Sequence, residues 1–254
     1  VALGIVGEQS WTRDEITKAP KEEKNKKRKK LPIEEKESYR WIEGLKVAQA
    51  TAQSCPETMC VFMGDSEADI YELFAAHAGC QTTNLHLLVR GGQSRNTTEK
   101  QDWVELVRGL PKVGEQTVNV RARTAKVGTG KSARSRSREA RTAELEIRKG
   151  TIEVCRPSHV PSHLPATVTL NVVLCEELNP PEGEDPISWF LVTTLPIDTD
   201  EDVQRIIQFY CIRWQIEVFF RTLKSGCKIE HRRFETIERM LNCLALLSVV
   251  AWRL

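Results

Sequence analysis

No CxxC pair occurs among the 8 cysteines of this 254-residue chain, so the paired-thiolate spacing of structural zinc sites is missing. No apolar run is long enough for a membrane span. The best candidate, LALLSVVAW near the end, falls far short of the ~20 residues a bilayer requires, and no secretory signal is present. A Walker-type glycine loop is absent as well, which leaves ATP-driven chemistry without support. Neither sign of charge is in large excess: the formal balance is only +2, so any affinity for nucleic acid has to come from local clustering.

What is present points to a globular, partly basic chain. At 40% hydrophobic residues it can bury a sizeable core, either as one large domain or as one domain carrying an insertion. Cys60, Cys80, Cys175, Cys211 and Cys243 sit in apolar contexts that suit reduced, buried thiols, so a cytoplasmic location is expected. Two basic clusters stand out, KEEKNKKRKK over residues 21–30 and a second over residues 121–141. Such loops add sequence-independent phosphate contacts in proteins that act on DNA. The chain starts at Val1 and stops inside an apolar helical pattern, and it is expected to be a fragment.

The pattern changes three times along the chain. VALGIVGEQSW reads as a strand running into a loop, and residues 34–53 show helical spacing at Trp41, Leu45, Val47 and Ala48. The segment TMCVFMGDSEADIYELFAAHAG then predicts a strand ending at Gly64, a turn at Asp65 and a helix marked by Ile70, Leu73 and Phe74. NLHLLVRGG is a second buried strand. Between about residues 102 and 195 the period shifts toward two, as in an antiparallel β module, and the helical period returns from Ile206 to the end. The expected class is α/β, a mixed sheet with flanking helices interrupted by an antiparallel insertion. Its parts would be residues 1–90, 91–204 and 205–254.

One segment carries chemistry. In YCIRWQIEVFFRTLK, residues 210–224, a regular helix would bring Tyr210, Arg213, Glu217 and Lys224 into a wedge roughly 60° wide. Ile212, Ile216, Phe219 and Leu223 would take the far side. A carboxylate set among cations and hemmed by aromatics reads as the wall of a cleft. The plainer alternative is an i,i+4 ion pair on a solvated helix.

Tyr-x2-Arg-x3-Glu-x6-Lys resembles the signature around the last acidic residue of bacterial DDE transposases of the insertion-sequence-four group. Other segments agree in order: EKES followed by Trp41, D-x-E-A-D-I at Asp65, VR at Arg90, EE-x-NPP-x-GE over 176–184, W-x-L-x-T at Trp189 and ERM over 238–240. The resemblance implies a ribonuclease-H-like core in which carboxylates hold two Mg²⁺ or Mn²⁺ ions over DNA. It makes Asp65 and Glu217 the catalytic metal ligands. Tyr210, Arg213 and Lys224 would contact phosphates, and Trp189 would stack an extruded base. Arg90, Arg233 and Glu235 would touch DNA near the cut. The implied partners are double-stranded transposon ends and target DNA, engaged by a homodimer, in mobile-element DNA recombination with no role for a membrane.

The chain also departs from the family pattern. A further Asp is expected on an earlier strand, residues 1–13 contain none, and Glu8 does not match it, so little activity is expected of this polypeptide alone. An inactive DNA-binding or inhibitory remnant, or a metal-dependent nuclease without strand transfer, are the alternatives. By residue type alone Asp65 could equally be a helix N-cap, and Asp69 a first-turn helix charge. Cys155, His159 and His163 have ligand chemistry at regular spacing, but the three interleaved prolines read better as a turn-rich hairpin extension.

Overall fold

The computed structural model describes residues 4–7, 31–122, 126–127, 134–135 and 137–253. The basic run 21–30, most of the opening segment and much of the second basic cluster lie outside the described residues. Residues 4–7 are exposed and form no strand, so the opening strand expected from the sequence is not found there. The chain divides into two compact units, residues 12–206 and residues 1–11 with 207–254.

In the larger unit a 3₁₀ turn at Ile33–Glu35 leads into α1 (Tyr39–Ser54), β1 (Cys60–Gly64), α2 (Tyr71–Ala78), β2 (Leu85–Arg90) and α3 (Trp103–Arg108). There follow β3 (Lys112–Val120), β4 (Lys126–Val127), β5 (Arg134–Ser135), β6 (Arg141–Cys155), β7 (Thr167–Glu177) and β8 (Ser188–Thr193). Six strands make one mixed sheet in the order β1-β2-β8-β7-β6-β3, and β4 pairs with β5 apart from it. β1 and β2 run parallel, as the helical crossover through α2 allows, and every other neighbouring pair is antiparallel. The mixed α/β class and flanking helices expected from the sequence are present and are compatible with a ribonuclease-H-like transposase fold.

Apolar periodicity accounts for the core. Leu73 and Phe74 of α2, Leu85, Leu87 and Val89 of β2, and Trp103 and Val107 of α3 pack with the alternate residues Leu170, Val172 and Leu174 of β7. Over 172–175 successive residues of β7 are buried, so both faces of the sheet are covered there. Polar side chains close the local joints. Asp102 caps α3 by accepting from Val104 N at 2.9 Å. Asn84 Nδ2 donates to the carbonyls of Ala52, Cys55 and Thr58, fastening the end of α1 to the start of β2.

The carboxyl-terminal helices are α4 (Asp200–Ile212), α5 (Gln215–Arg221) and α6 (Ile237–Arg253), with a π turn at Thr222–Gly226 and a 3₁₀ turn at Ile229–His231. A reciprocal pair starts α4: Asp202 N donates to Thr199 Oγ1, and Thr199 N donates to Asp202 Oδ2, each at 3.1 Å. One unbroken helix was expected over 206–224. Instead the α-helix is interrupted at residues 213–214, where Ile216 N and Glu217 N bond back three residues rather than four.

Candidate active site

Asp65 follows directly on β1, at its carboxyl end. Gly64 is buried, and a Cβ there would overlap Ala68 Cβ and lie 3.4 Å from the Trp41 ring, so the chain has to be bare at that point to turn. Asp65 Oδ1 accepts from Glu67 N at 2.9 Å, and Asp65 O accepts from Ala68 N at 3.0 Å. Among the described residues no donor is directed at Oδ2. Asp65 is not a helix cap: α2 starts at Tyr71, with Ile70 at its N-cap position.

Register places two more candidates nearby. Gly64 pairs with Val89 in the parallel ladder, so Asp65 and Arg90 are the next residues at the same end of adjacent strands. β8 runs the other way with Leu191 opposite Arg90, which brings Ser188 and Trp189 to that same end. Arg90 Nη2 donates to Ser188 O at 3.3 Å, tying the two strands there. Trp189 is half-buried and sits opposite Cys175 in the ladder.

Asp69 and Arg95 were missed as a pair. Asp69 is not a first-turn helix charge; it precedes α2 with its side chain fully buried, bonded to Arg95. A charged residue between Ala68 and Ile70 was the available signal, but its partner lies 26 positions away. Next to the Asp65 turn opens a cleft of about 870 Å³ lined in part by Arg40, Trp41, Ser66, Glu67 and His159.

In the second unit Arg213 Nη2 donates to Glu217 Oε1 at 3.2 Å, and its guanidinium carbon lies 5.6 Å from the Tyr210 ring and 5.7 Å from that of Trp214. Tyr210 is buried, whereas the Glu217 side chain is 45% exposed. Arg213 Nε is buried without a hydrogen bond. The far side expected to be covered is open, with Ile212 and Ile216 both exposed and only Leu223 buried. Spacing identifies the residues that share a face, and it does not determine which face is covered. Lys224 lies in the π turn and pairs with Glu230 at 3.0 Å. Arg233 and Glu235 are exposed between the 3₁₀ turn and α6, Glu235 paired with Arg239. Thus Tyr210, Arg213 and Glu217 form one cluster, while Lys224, Arg233 and Glu235 are engaged elsewhere or in solvent.

Among the described residues, no three His, Cys, Asp or Glu side chains gather closely enough to hold a metal ion, the Cys155, His159 and His163 set included. The connection over 156–166 is instead built of turns. A half-buried carboxylate with one undonated oxygen, as at Asp65, does suit a hard divalent cation. No described helix is long and apolar enough to cross a membrane.

A mixed sheet with an acid at a strand end and a second acid on a helix defines a candidate nucleic-acid-processing enzyme. A family model described as the transposase DDE domain matches residues 12–252, and the chain belongs to that family. Transposases act on DNA, and DDE transposases generally use divalent metal ions.

Proposed function

We propose that the chain is the central and carboxyl-terminal part of the catalytic domain of a cut-and-paste transposase of the insertion-sequence-four group, similar to the transposon-five transposase. On this reading residues 1–90 begin a ribonuclease-H-like core, 91–204 are an antiparallel insertion and 205–254 complete the core. Asp65 and Glu217 are two of its three metal-holding carboxylates; the first is assigned to no residue of this chain. The divalent ions, Mg²⁺ or Mn²⁺, supply charge neutralisation at the phosphate and acidify water. Tyr210, Arg213 and Lys224 bind and orient the phosphates by charge and hydrogen bonding, which offsets the repulsion between DNA and the acids. Trp189 stacks a base drawn out of the duplex, and Arg90, Arg233 and Glu235 flank the strand near the cut.

The reaction is phosphoryl transfer in series. Water attacks the phosphorus at the transposon end and the bond to the 3′-oxygen breaks, freeing a 3′-hydroxyl. That hydroxyl attacks the opposite strand to give a hairpin, water reopens the hairpin, and the end then attacks target DNA. The protein works as a homodimer on paired ends.

The observation that carries the reading is Asp65 at the carboxyl end of β1 with an undonated carboxylate oxygen, at the sheet end that also holds Arg90 and Trp189. The test is joining of precut transposon ends by the full-length protein. Wild type is expected to join them in Mg²⁺, and Asp65→Ala and Glu217→Ala to bind the ends without joining. Joining that survives in either variant overturns the assignment, and hydrolysis without joining by the wild type identifies a nuclease instead.

A further inference from the structure

We infer that the buried Asp69 and Arg95 pair is the positioning device for Asp65, clamping the β1–α2 turn to the loop that follows β2; this rests on the proposed role of Asp65 as a metal ligand. Four hydrogen bonds converge on the Asp69 carboxylate. Oδ2 accepts from Gly92 N at 2.8 Å and Gln93 N at 2.7 Å, and Oδ1 accepts from Arg95 Nε at 2.9 Å and Nη2 at 2.5 Å. Arg95 Nη2 also donates to the Asp69 carbonyl at 2.7 Å, so one guanidinium holds both side chain and backbone of the turn. The Asp69 side chain is 0% exposed and that of Arg95 6%.

Both partners are anchored. The Arg95 guanidinium carbon lies 5.7 Å from the Phe74 ring and 5.5 Å from the Trp103 ring, and Trp103 Nε1 donates to Gln93 O at 2.9 Å. On the other side, Asp65 O and Oδ1 accept the amides of Ala68 and Glu67, and Ala68 O accepts that of Ile70. The two loops also touch at a second point: a Cβ on Gly92 would lie 2.8 Å from Ser66 Cβ. Asp65 is therefore fixed through short local bonds to a turn that is itself pinned at Ser66 and Asp69.

A buried ion pair is a weak device for stability alone, since well-packed apolar residues in its place are often as stable. Its value is directional: a fork and two amides meet one carboxylate in a single arrangement. Partners that orient a metal-binding side chain from behind change metal affinity without touching the metal.

The test uses the full-length protein bound to a precut transposon end, with Asp69→Asn and Arg95→Lys. Asn at 69 presents an amide donor to groups that already donate, and Lys at 95 lacks the fork. Mn²⁺ titrations followed by the electron paramagnetic resonance of the free ion are expected to show binding weakened about 10- to 100-fold in both variants. Affinity for the DNA end in Ca²⁺ is expected to stay within twofold of wild type, and the half-maximal metal concentration for joining to rise in step with the Mn²⁺ constant. A lowered unfolding midpoint with unchanged Mn²⁺ affinity overturns the inference, and so does failure of both variants to fold. Asp65→Ala separates the two levels: Mn²⁺ binding unaffected by that change refutes the ligand role itself, whereas a loss there with wild-type binding in Asp69→Asn and Arg95→Lys refutes only the clamp.

Discussion

Arg213 reaches Glu217 one helical turn away, Nη2 to Oε1 at 3.2 Å, while its guanidinium covers the ring of Tyr210. Half-exposed pairs of this spacing add only a few tenths of a kcal/mol to stability. Glu217→Ala is thus expected to shift unfolding free energy by less than about 0.5 kcal/mol, measured in urea. Loss of end joining in the same variant would then report on chemistry and not on folding.

Arg141 is the counterpart of a more deeply buried acid. It donates to both Glu177 oxygens and, from Nε, to Glu184 at 2.9 Å, and Glu177 Oε2 also accepts Ile187 N at 2.9 Å. Burial pushes the Glu177 carboxyl up, but the bonds from Arg141 and the Ile187 amide outweigh it and leave it below the usual range. Its contribution to stability is complete above the unfolded carboxylate value of about 4.3 and disappears as pH falls through the lower folded value. Arg141→Met leaves that acid uncompensated and is expected to cost about 3 kcal/mol at pH 7. Adding Glu177→Leu should recover most of it in equilibrium unfolding.

His77 sets a second, milder acid sensitivity. Burial pushes its pKa down, and the neutral ring contacts Leu85 O from Nε2 at 2.9 Å. A depressed value means the unfolded chain takes up the proton first, so stability should decline as pH falls below about 6.5. His77→Gln, which can still donate to Leu85 O, is expected to flatten the decline between pH 7.5 and 5.5 in thermal unfolding. An unchanged slope would locate the titrating group elsewhere.

Two glycines make opposite predictions for the same change. Gly64→Ala drives a methyl into Ala68 at the turn that carries Asp65, and about 1–3 kcal/mol of destabilisation is expected. Gly114 in β3 has nothing within 4 Å of its would-be Cβ, and Gly114→Ala should be neutral or gain up to about 1 kcal/mol. Parallel denaturation curves of the two variants decide the matter.

The basic run over 21–30 is expected to add phosphate contacts. Neutralising its lysines should make the slope of log affinity for duplex DNA against log salt shallower by nearly one per contact removed. Fluorescence anisotropy between 50 and 300 mM salt, roughly the range where such slopes are linear, measures it.

Local signals were legible where neighbours in sequence decide the outcome. The apolar run before Gly64 and the period-two stretches produced β1, β2 and the long antiparallel strands close to where the pattern puts them. The acid at the end of β1 was legible as a residue, and its surroundings were not. Asp69 and Arg95 meet only through the fold, and α3 arises inside a stretch read as strands. The break at residues 213–214 escaped because the interrupted turn keeps nearly helical angles, with Trp214 at φ −60° and ψ −14°. A hydrophobic period also cannot tell which face meets the core, which is why Ile212 and Ile216 are open while Tyr210 is buried.

The widened coil at Thr222–Gly226 resets the compass of the chain. Each loop of such a coil takes in an additional residue, so a side chain beyond it is aimed about 100° from its bearing on an uninterrupted spiral. Removing one amino acid there would restore regular winding and swing Lys224 away from Glu230, changing its heading with its chemistry intact.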